Sequence, residues 1–301
     1  MTCILCGSAV FKKHELDGLT ACAECGLVRR SGQLPDASVY YASHMQYERD
    51  LHIPGKAARR AREAGQHLAL LRAVAAPQRY PRLLEVGCHE GLFLRAARGD
   101  GFTVFGIEPN VAAATSAGGD GIPIFCGMLE NYAPTEAFDV VVAFHVLEHL
   151  SDPCAGLRRM ASFLRSGGVL ALEVPNIESF AARREKGKWA YITPEHFFYF
   201  SPRTLTRMLA ASGLRPLRLR QRDYDLYHAG IRDLLVRLGL SVRPAPESAN
   251  SLTSAGPGSA ASIPERGIAS RLIAGIVRRL LAGSVVALGR QNFIFALARK
   301  I

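Results

Sequence analysis

The sequence predicts an α/β fold, an open and mostly parallel sheet doubly wound with helices. Three observations predict it. The stretch Leu83–Gly91, LLEVGCHEG, runs from apolar residues through a glycine-bearing turn into the helical pattern of Leu92, Phe93, Leu94, Ala96 and Ala97. Further apolar runs at Thr103–Ile107, Pro123–Cys126, Phe138–Phe144 and Val169–Val174 alternate with helical or turn segments; alternation of this kind indicates a parallel sheet, whose doubly buried strands read as short apolar runs. The 301 residues, 49% hydrophobic and 21% charged, are enough for one large domain or two smaller ones.

Taken in order, the first element is a set of cysteines, Cys3, Cys6, Cys22 and Cys25, spaced C-x2-C-x15-C-x2-C. Four thiolates at this spacing can surround one Zn²⁺ tetrahedrally. Gly7 and Gly26 directly follow the second thiol of each pair, and Val10-Phe11 with Leu19-Thr20 can form a hairpin between the knuckles. Residues 1–30 are therefore expected to be a zinc ribbon with a structural metal. A redox pair or unrelated thiols are the alternatives, and the doubled motif disfavours both. Cys88, Cys126 and Cys154 stand alone and are expected to pack as small apolar residues.

Residues 31–80 are expected to form a helical cap. Tyr40, Tyr41 and Tyr47 precede a charged helix over about 56–74, in which Ala61, Ala64, Leu68 and Leu71 recur at helical spacing. The tyrosines either pack or close over a ligand.

The glycine turn after Leu83–Val86 lets a ligand approach the backbone, and the helix start beyond it offers free N–H groups. The second strand ends at Glu108, 23 residues after Glu85, with Pro109 placed to open a helix. A carboxylate at a buried strand's end needs a partner, and there it can accept hydrogen bonds from two ribose hydroxyls. The third strand leads into Gly127-Met128-Leu129-Glu130, and the fourth opens into His145-Val146-Leu147-Glu148-His149. Asp152-Pro153 start a helix expected to run through Leu164 and stop at Gly167-Gly168. The fifth strand ends at Pro175-Asn176, a helix over Thr204–Ala211 stops at Gly213, and Leu214–Arg220 reads as a sixth strand. All these strand ends should converge on one ligand site.

The acidic glycine motif E-x-G-x-x-x-G (Glu85 to Gly91), the acidic end of strand two, FDVVVAFHVLEHLSDP, SGGVLALEVPN and HFFYFSPRTLTRML occur in this order over about residues 80–220. Together they resemble the class I S-adenosylmethionine-dependent methyltransferases. The last stretch, with the cysteine knuckles, is similar to bacterial members that carry a zinc ribbon and act on nucleotide-linked sugars or other small metabolites. The resemblance implies a Rossmann-like seven-stranded sheet over 81–224 and 290–301, whose last strand, around Asn292–Ala298, runs antiparallel. It leaves 225–289 as a helical insertion with a flexible linker at 244–264. It also implies that Glu85, Gly87, Cys88 and Gly91 lie near the methionine part of the cofactor and that Glu108 and Pro109 lie at its ribose. Met128 and Leu129 would flank the adenine, and His145 and Val146 would floor the sulfonium. Where the family usually has a glycine, this chain has His89.

The cofactor supplies the electrophile, so the protein must align the nucleophile and take its proton. His149 and His196 are the candidate bases, each with an alternative as a helix-start or packed core histidine. Glu148 and Tyr199 are weaker candidates, and Lys186, Lys188 and Trp189 could form a loop that meets a phosphate or sugar ring.

The net charge of +11 favours an anionic partner, although solvated surface charge accounts for it equally well. The expected acceptor is a small, phosphorylated or sugar-linked metabolite. RNA is the alternative substrate, and a binding protein without catalysis is the alternative class. The first residues lack a signal peptide's basic and apolar regions, which makes cytoplasmic placement the expectation. A basic amphipathic helix over 268–288 could dock on its own domain, a second copy or an anionic membrane surface.

Overall fold

The structure, a computed structural model, describes residues 2–32, 56–223 and 291–301. The tyrosines at 40–47 and the whole 225–289 insertion, with its linker and its helix over 268–288, lie outside the described residues.

Seven strands form the main sheet: β4 (Arg82–Val86), β5 (Thr103–Glu108), β6 (Ile124–Cys126), β7 (Phe138–Phe144), β8 (Leu164–Pro175), β10 (Leu214–Arg222) and β11 (Phe293–Lys300). Their spatial order is β10-β11-β8-β7-β4-β5-β6. The five strands from β4 to β8 pair in parallel, while β11 is antiparallel to both β8 and β10. β4 lies between β5 and β7, so successive connections leave it in opposite directions. That divergence opens a crevice at its carboxyl end.

Alternate residues of the central strands feed two cores, as strand geometry requires. Leu84, Val86, Val141 and Ala143 face α4 (Pro153–Phe163) and α6 (Pro202–Ala211). Leu83, Val140 and Val142 face α1 (Lys56–Arg72) and α2 (Leu92–Gly99). α1 buries Ala64, Leu68 and Leu71 but leaves Ala61 exposed; His67 takes a place on the buried face.

Two element ends differ from the sequence expectation. α3 (Val111–Gly118) begins after Pro109, because the Asn110 side chain accepts from the Ala113 N–H at 3.0 Å and takes the cap position. α4 ends at Phe163, not at the glycines; β8 starts at once, and Gly167-Gly168 fall where its register with β7 shifts.

The amino-terminal cysteines sit on a second, four-stranded antiparallel sheet. It contains β1 (Phe11–Lys13), β2 (Leu19–Cys22), β3 (Val28–Arg30) and β9 (Phe198–Tyr199) in that order. β9 belongs to the segment that follows α5 (Phe180–Glu185). Arg30 N–H donates to the Phe197 carbonyl at 2.9 Å, and Phe197 N–H donates to the Glu148 carbonyl at 2.8 Å. Backbone hydrogen bonds thus run from the ribbon to the loop after β7. No helix among the described residues is long and apolar enough to cross a membrane.

Candidate active site

A cavity of about 710 Å³ opens at the carboxyl ends of β4, β5 and β7, beneath α1. Of the sequence-predicted cofactor residues, Glu85, Gly87, Cys88, Glu108, Pro109, Met128, Leu129, His145 and Val146 line it, and so does His149. Gly91 and His196 do not. Gly91 stands at φ 76° as the residue before α2, and a Cβ there would meet the Ala117 Cβ at 3.1 Å, so it serves helix packing.

The turn after β4 is shaped by close approach. Gly87 has φ 70°, and a Cβ built on it would lie 2.7 Å from the Val146 Cγ2. Gly87→Ala should therefore lower stability by about 1–3 kcal/mol and push Val146 into the cavity, weakening cofactor binding. Thermal melts with and without S-adenosylmethionine would check this, and an unshifted melt would contradict it. His89 holds φ 50°, a backbone position that explains the family's usual glycine. It is fixed there through its N–H, which donates to Glu108 Oε2 at 2.8 Å, while Asn110 N–H donates to Oε1 at 3.0 Å. The carboxylate of Glu108 thus lies against the glycine turn.

Glu85 is buried and its Oε2 has no hydrogen-bond partner. Burial, and then the charge of Glu108, push its carboxyl well above the usual range. A buried carboxylate of this kind suits a cationic ligand. S-adenosylmethionine carries an ammonium and a sulfonium, so the residues present fit it.

Behind this wall lies a network that the sequence reading did not single out. His145 Nδ1 is 3.4 Å from Glu148 Oε1, and its Nε2 is 3.4 Å from Glu173 Oε1. Glu173 also meets His67 Nε2 at 3.1 Å and Arg222 Nε at 3.5 Å. Burial opposes the charged form of His145, but the two carboxylates outweigh it and raise the ring to about 10. The same contacts overcome the burial of Glu173 and hold it at about 2. A signal was present, because Glu173 interrupts the apolar run VLALEVP.

His149 and His196 come together edge to face, with ring centroids 4.6 Å apart. His149 Nδ1 lies 3.1 Å from the Glu195 carbonyl, and His196 Nδ1 lies 2.8 Å from the Tyr191 carbonyl. Burial lowers His149 to about 4 and lowers His196 as well, so both rings are neutral near pH 7. Glu148 lies beneath them, 1% exposed.

Tyr191 is a cavity residue that the sequence did not flag. Trp189 and Tyr199 are buried in a separate apolar cluster with Leu16 and Ala181, so neither offers its ring to a ligand. Lys186 and Lys188 are exposed and lie off the cavity. Cys126 is exposed, unlike the packed Cys88 and Cys154.

The four amino-terminal thiols converge. Their sulfurs lie within 4.8 Å of one another, with Cys3–Cys25 and Cys6–Cys22 each at 3.5 Å. Four sulfurs at about 2.3 Å from one zinc stand about 3.8 Å apart, so the set is close to that arrangement. Gly7 and Gly26, at φ 75° and 80°, turn each knuckle.

A family model described as "Methyltransferase domain" matches residues 56–219. A ubiquinone biosynthesis O-methyltransferase of Bradyrhizobium sp. (strain ORS 278) is 36% identical over 101 residues, covering 32% of this chain and 40% of that protein. A tRNA U34 carboxymethyltransferase of Methylococcus capsulatus is 32% identical over 160 residues, covering 50% of this chain and 49% of that one. The chain thus spans less than half the length of these curated relatives. Among solved structures, a putative sarcosine dimethylglycine methyltransferase from Galdieria sulphuraria superposes with a TM-score of 0.53 at 16% identity, covering 88% of this chain and 98% of that one. That likeness concerns the fold. With the family model matching more than half of its length, the chain belongs to the methyltransferase-domain family, among the class I S-adenosylmethionine-dependent methyltransferases.

Proposed function

We propose that this chain transfers the methyl group of S-adenosylmethionine to a small acceptor bearing an anionic group, and that its four amino-terminal cysteines hold a structural zinc. One observation carries the first part: a single cavity of about 710 Å³ joins the acidic strand ends at Glu85 and Glu108 to Arg59, Tyr191 and His149. Ligand sites run from about 300 to 1,000 Å³, which leaves room for the cofactor and a small acceptor together.

The cofactor brings a methyl group already activated on a sulfonium. The chain's own tasks are to bind, align and exclude water. Glu85 answers the ligand's positive charge, and Glu108 accepts from its ribose hydroxyls while tethering the turn through His89. Met128 and Leu129 offer an apolar slot for a flat base. His149 stands at the acceptor end with Tyr191, and the His196 ring, off the cavity, packs edge to face against the His149 ring. Arg59 and Arg60 on α1 line the cavity; Arg59, paired with Glu63 at 3.5 Å, also acts electrostatically on Tyr191, and these are the cations placed to meet an acceptor's negative group.

RNA is a second reading, favoured by the net charge of +11 and by the partial similarity to a tRNA-modifying enzyme. Glu63, Glu90, Glu130 and Glu195 also line the cavity and oppose a polyanion there. The deciding experiment incubates the protein and methyl-labelled S-adenosylmethionine with the small-molecule and RNA fractions of a cell extract. Label in the small-molecule fraction supports the first reading. Label in RNA, with salt-dependent binding, overturns it.

Glu85→Gln separates folding from function. Because the folded-state pKa of Glu85 lies above its unfolded value of about 4.3, the native state retains the proton longer, and stability falls as pH rises from there toward the folded pKa. Glutamine removes that cost. The ligand-free variant should melt higher than wild type at neutral pH, with the difference closing below about pH 4. Its affinity for S-adenosylmethionine should fall roughly 10–100-fold, the loss of one charge-assisted bond. A lower melting temperature together with unchanged affinity would refute the assignment.

A further inference from the structure

We propose that Glu148, His149 and His196 form a second metal site, separate from the four cysteines and selective for a divalent first-row transition ion. One ligand atom from each of the three side chains lies within 4.8 Å of the others. Imidazole and carboxylate donors about 2.0–2.2 Å from a common tetrahedral ion stand about 3.3–3.6 Å apart, so an inward movement of about 1 Å closes the set.

Two further features single this cluster out from packed polar residues. Each imidazole has its Nδ1 against a backbone carbonyl, that of Glu195 for His149 and that of Tyr191 for His196. A carbonyl can only accept, so Nδ1 carries the proton and Nε2 is the lone-pair atom of both rings. That is the second contact by which proteins orient metal-binding histidines. The other feature is Glu148, 1% exposed, whose two carboxylate oxygens make no hydrogen bond. Oε1 lies 3.4 Å from His145 Nδ1, an ion-pair contact, while Oε2 is buried without a hydrogen bond of its own. An ion between Glu148 and the two rings would give Oε2 a partner.

The backbone holds the ligands in place. Glu148 and His149 lie on a short 3₁₀ turn, Leu147–His149. The Phe197 N–H, next to His196, donates to the carbonyl of Glu148 itself at 2.8 Å. Two imidazoles and one carboxylate suit Zn²⁺, Co²⁺, Mn²⁺ or Fe²⁺, whereas Mg²⁺ and Ca²⁺ prefer all-oxygen sites. Three protein ligands leave coordination positions open. His149 lies on the cavity wall, so an ion there would meet an oxygen of the acceptor. This last step rests on the small-acceptor reading above; the ion itself does not.

The test is a Co²⁺ titration of the full chain after metal removal, followed by absorption spectroscopy and elemental analysis. Wild type should take up two ions. One should show intense sulfur-to-metal charge-transfer bands, and the other only weak bands of a nitrogen and oxygen site. Glu148→Gln and His196→Gln should each retain the sulfur-ligated ion and lose the second. Wild type saturating at one sulfur-ligated ion would overturn the proposal, as would either folded variant keeping two. Should both variants fail to fold, the wild-type stoichiometry and spectrum alone decide. No acceptor is present in the titration, so the absence of transfer to small molecules would leave its result untouched.

Discussion

Glu108→Ala should reduce affinity for S-adenosylmethionine by at least about 100-fold while the sheet stays folded. Each carboxylate oxygen has two acceptor sites, of which one is taken by a backbone N–H, His89 on Oε2 and Asn110 on Oε1. The remaining sites can accept from two ribose hydroxyls. Hydrogen bonds to a charged group contribute about 1.5–3 kcal/mol each, so losing two corresponds to roughly 10²–10⁴ in Kd. The substitution also frees the turn, since His89 keeps its φ of 50° partly through the lost bond. Glu108→Gln retains one carbonyl oxygen and should fall between the two. Calorimetry at fixed salt measures all three proteins, with circular dichroism as the folding control. An alanine variant that binds as wild type would show that the ribose is held elsewhere.

Much of this site could be read from the sequence because its determinants are local. The glycine turn, the carboxylate at the end of β5 and the apolar run of β7 each lie within one short segment, and the parallel sheet brings strand ends together without further information. The buried network around His145 depends instead on distant partners. His67 and Glu173 are 106 residues apart in sequence and meet only because α1 lies over β8. His67 also sits among Ala64, Leu68 and Leu71, where an apolar pattern passes over a polar residue on the same face. Trp189 and Tyr199 looked like ligand-facing aromatics, but the ribbon fills the space beside them with Leu16 and Leu19. No spacing in the sequence announces that β3 pairs with β9.

That pairing gives metal loss its largest expected consequence. β1, β2 and β3 contain three, four and three residues, too few to hold a ribbon together unaided. Structural zinc commonly contributes the folding energy of such modules outright. Cys3, Cys22 and Cys25 are buried in the same core as Phe197, Phe198 and Phe200, so losing the zinc proposed above would disturb more than the knuckles. Arg30 N–H would leave the Phe197 carbonyl, and Phe197 N–H in turn fixes the Glu148 carbonyl next to His149. Glu85 and Glu108 stand on β4 and β5, outside this chain of bonds. Cys25→Ser, or chelation of the wild type, should therefore make residues 2–32 readily cleaved by protease and lower methyl transfer at least about tenfold, a loss of roughly 1.4 kcal/mol of transition-state stabilisation. Affinity for S-adenosylmethionine should change by less than about threefold, under 0.7 kcal/mol. Unchanged protease resistance after metal removal would mean that apolar packing alone holds the ribbon. Equal losses of cofactor binding and turnover would mean that it supports the whole sheet and not the acceptor end alone.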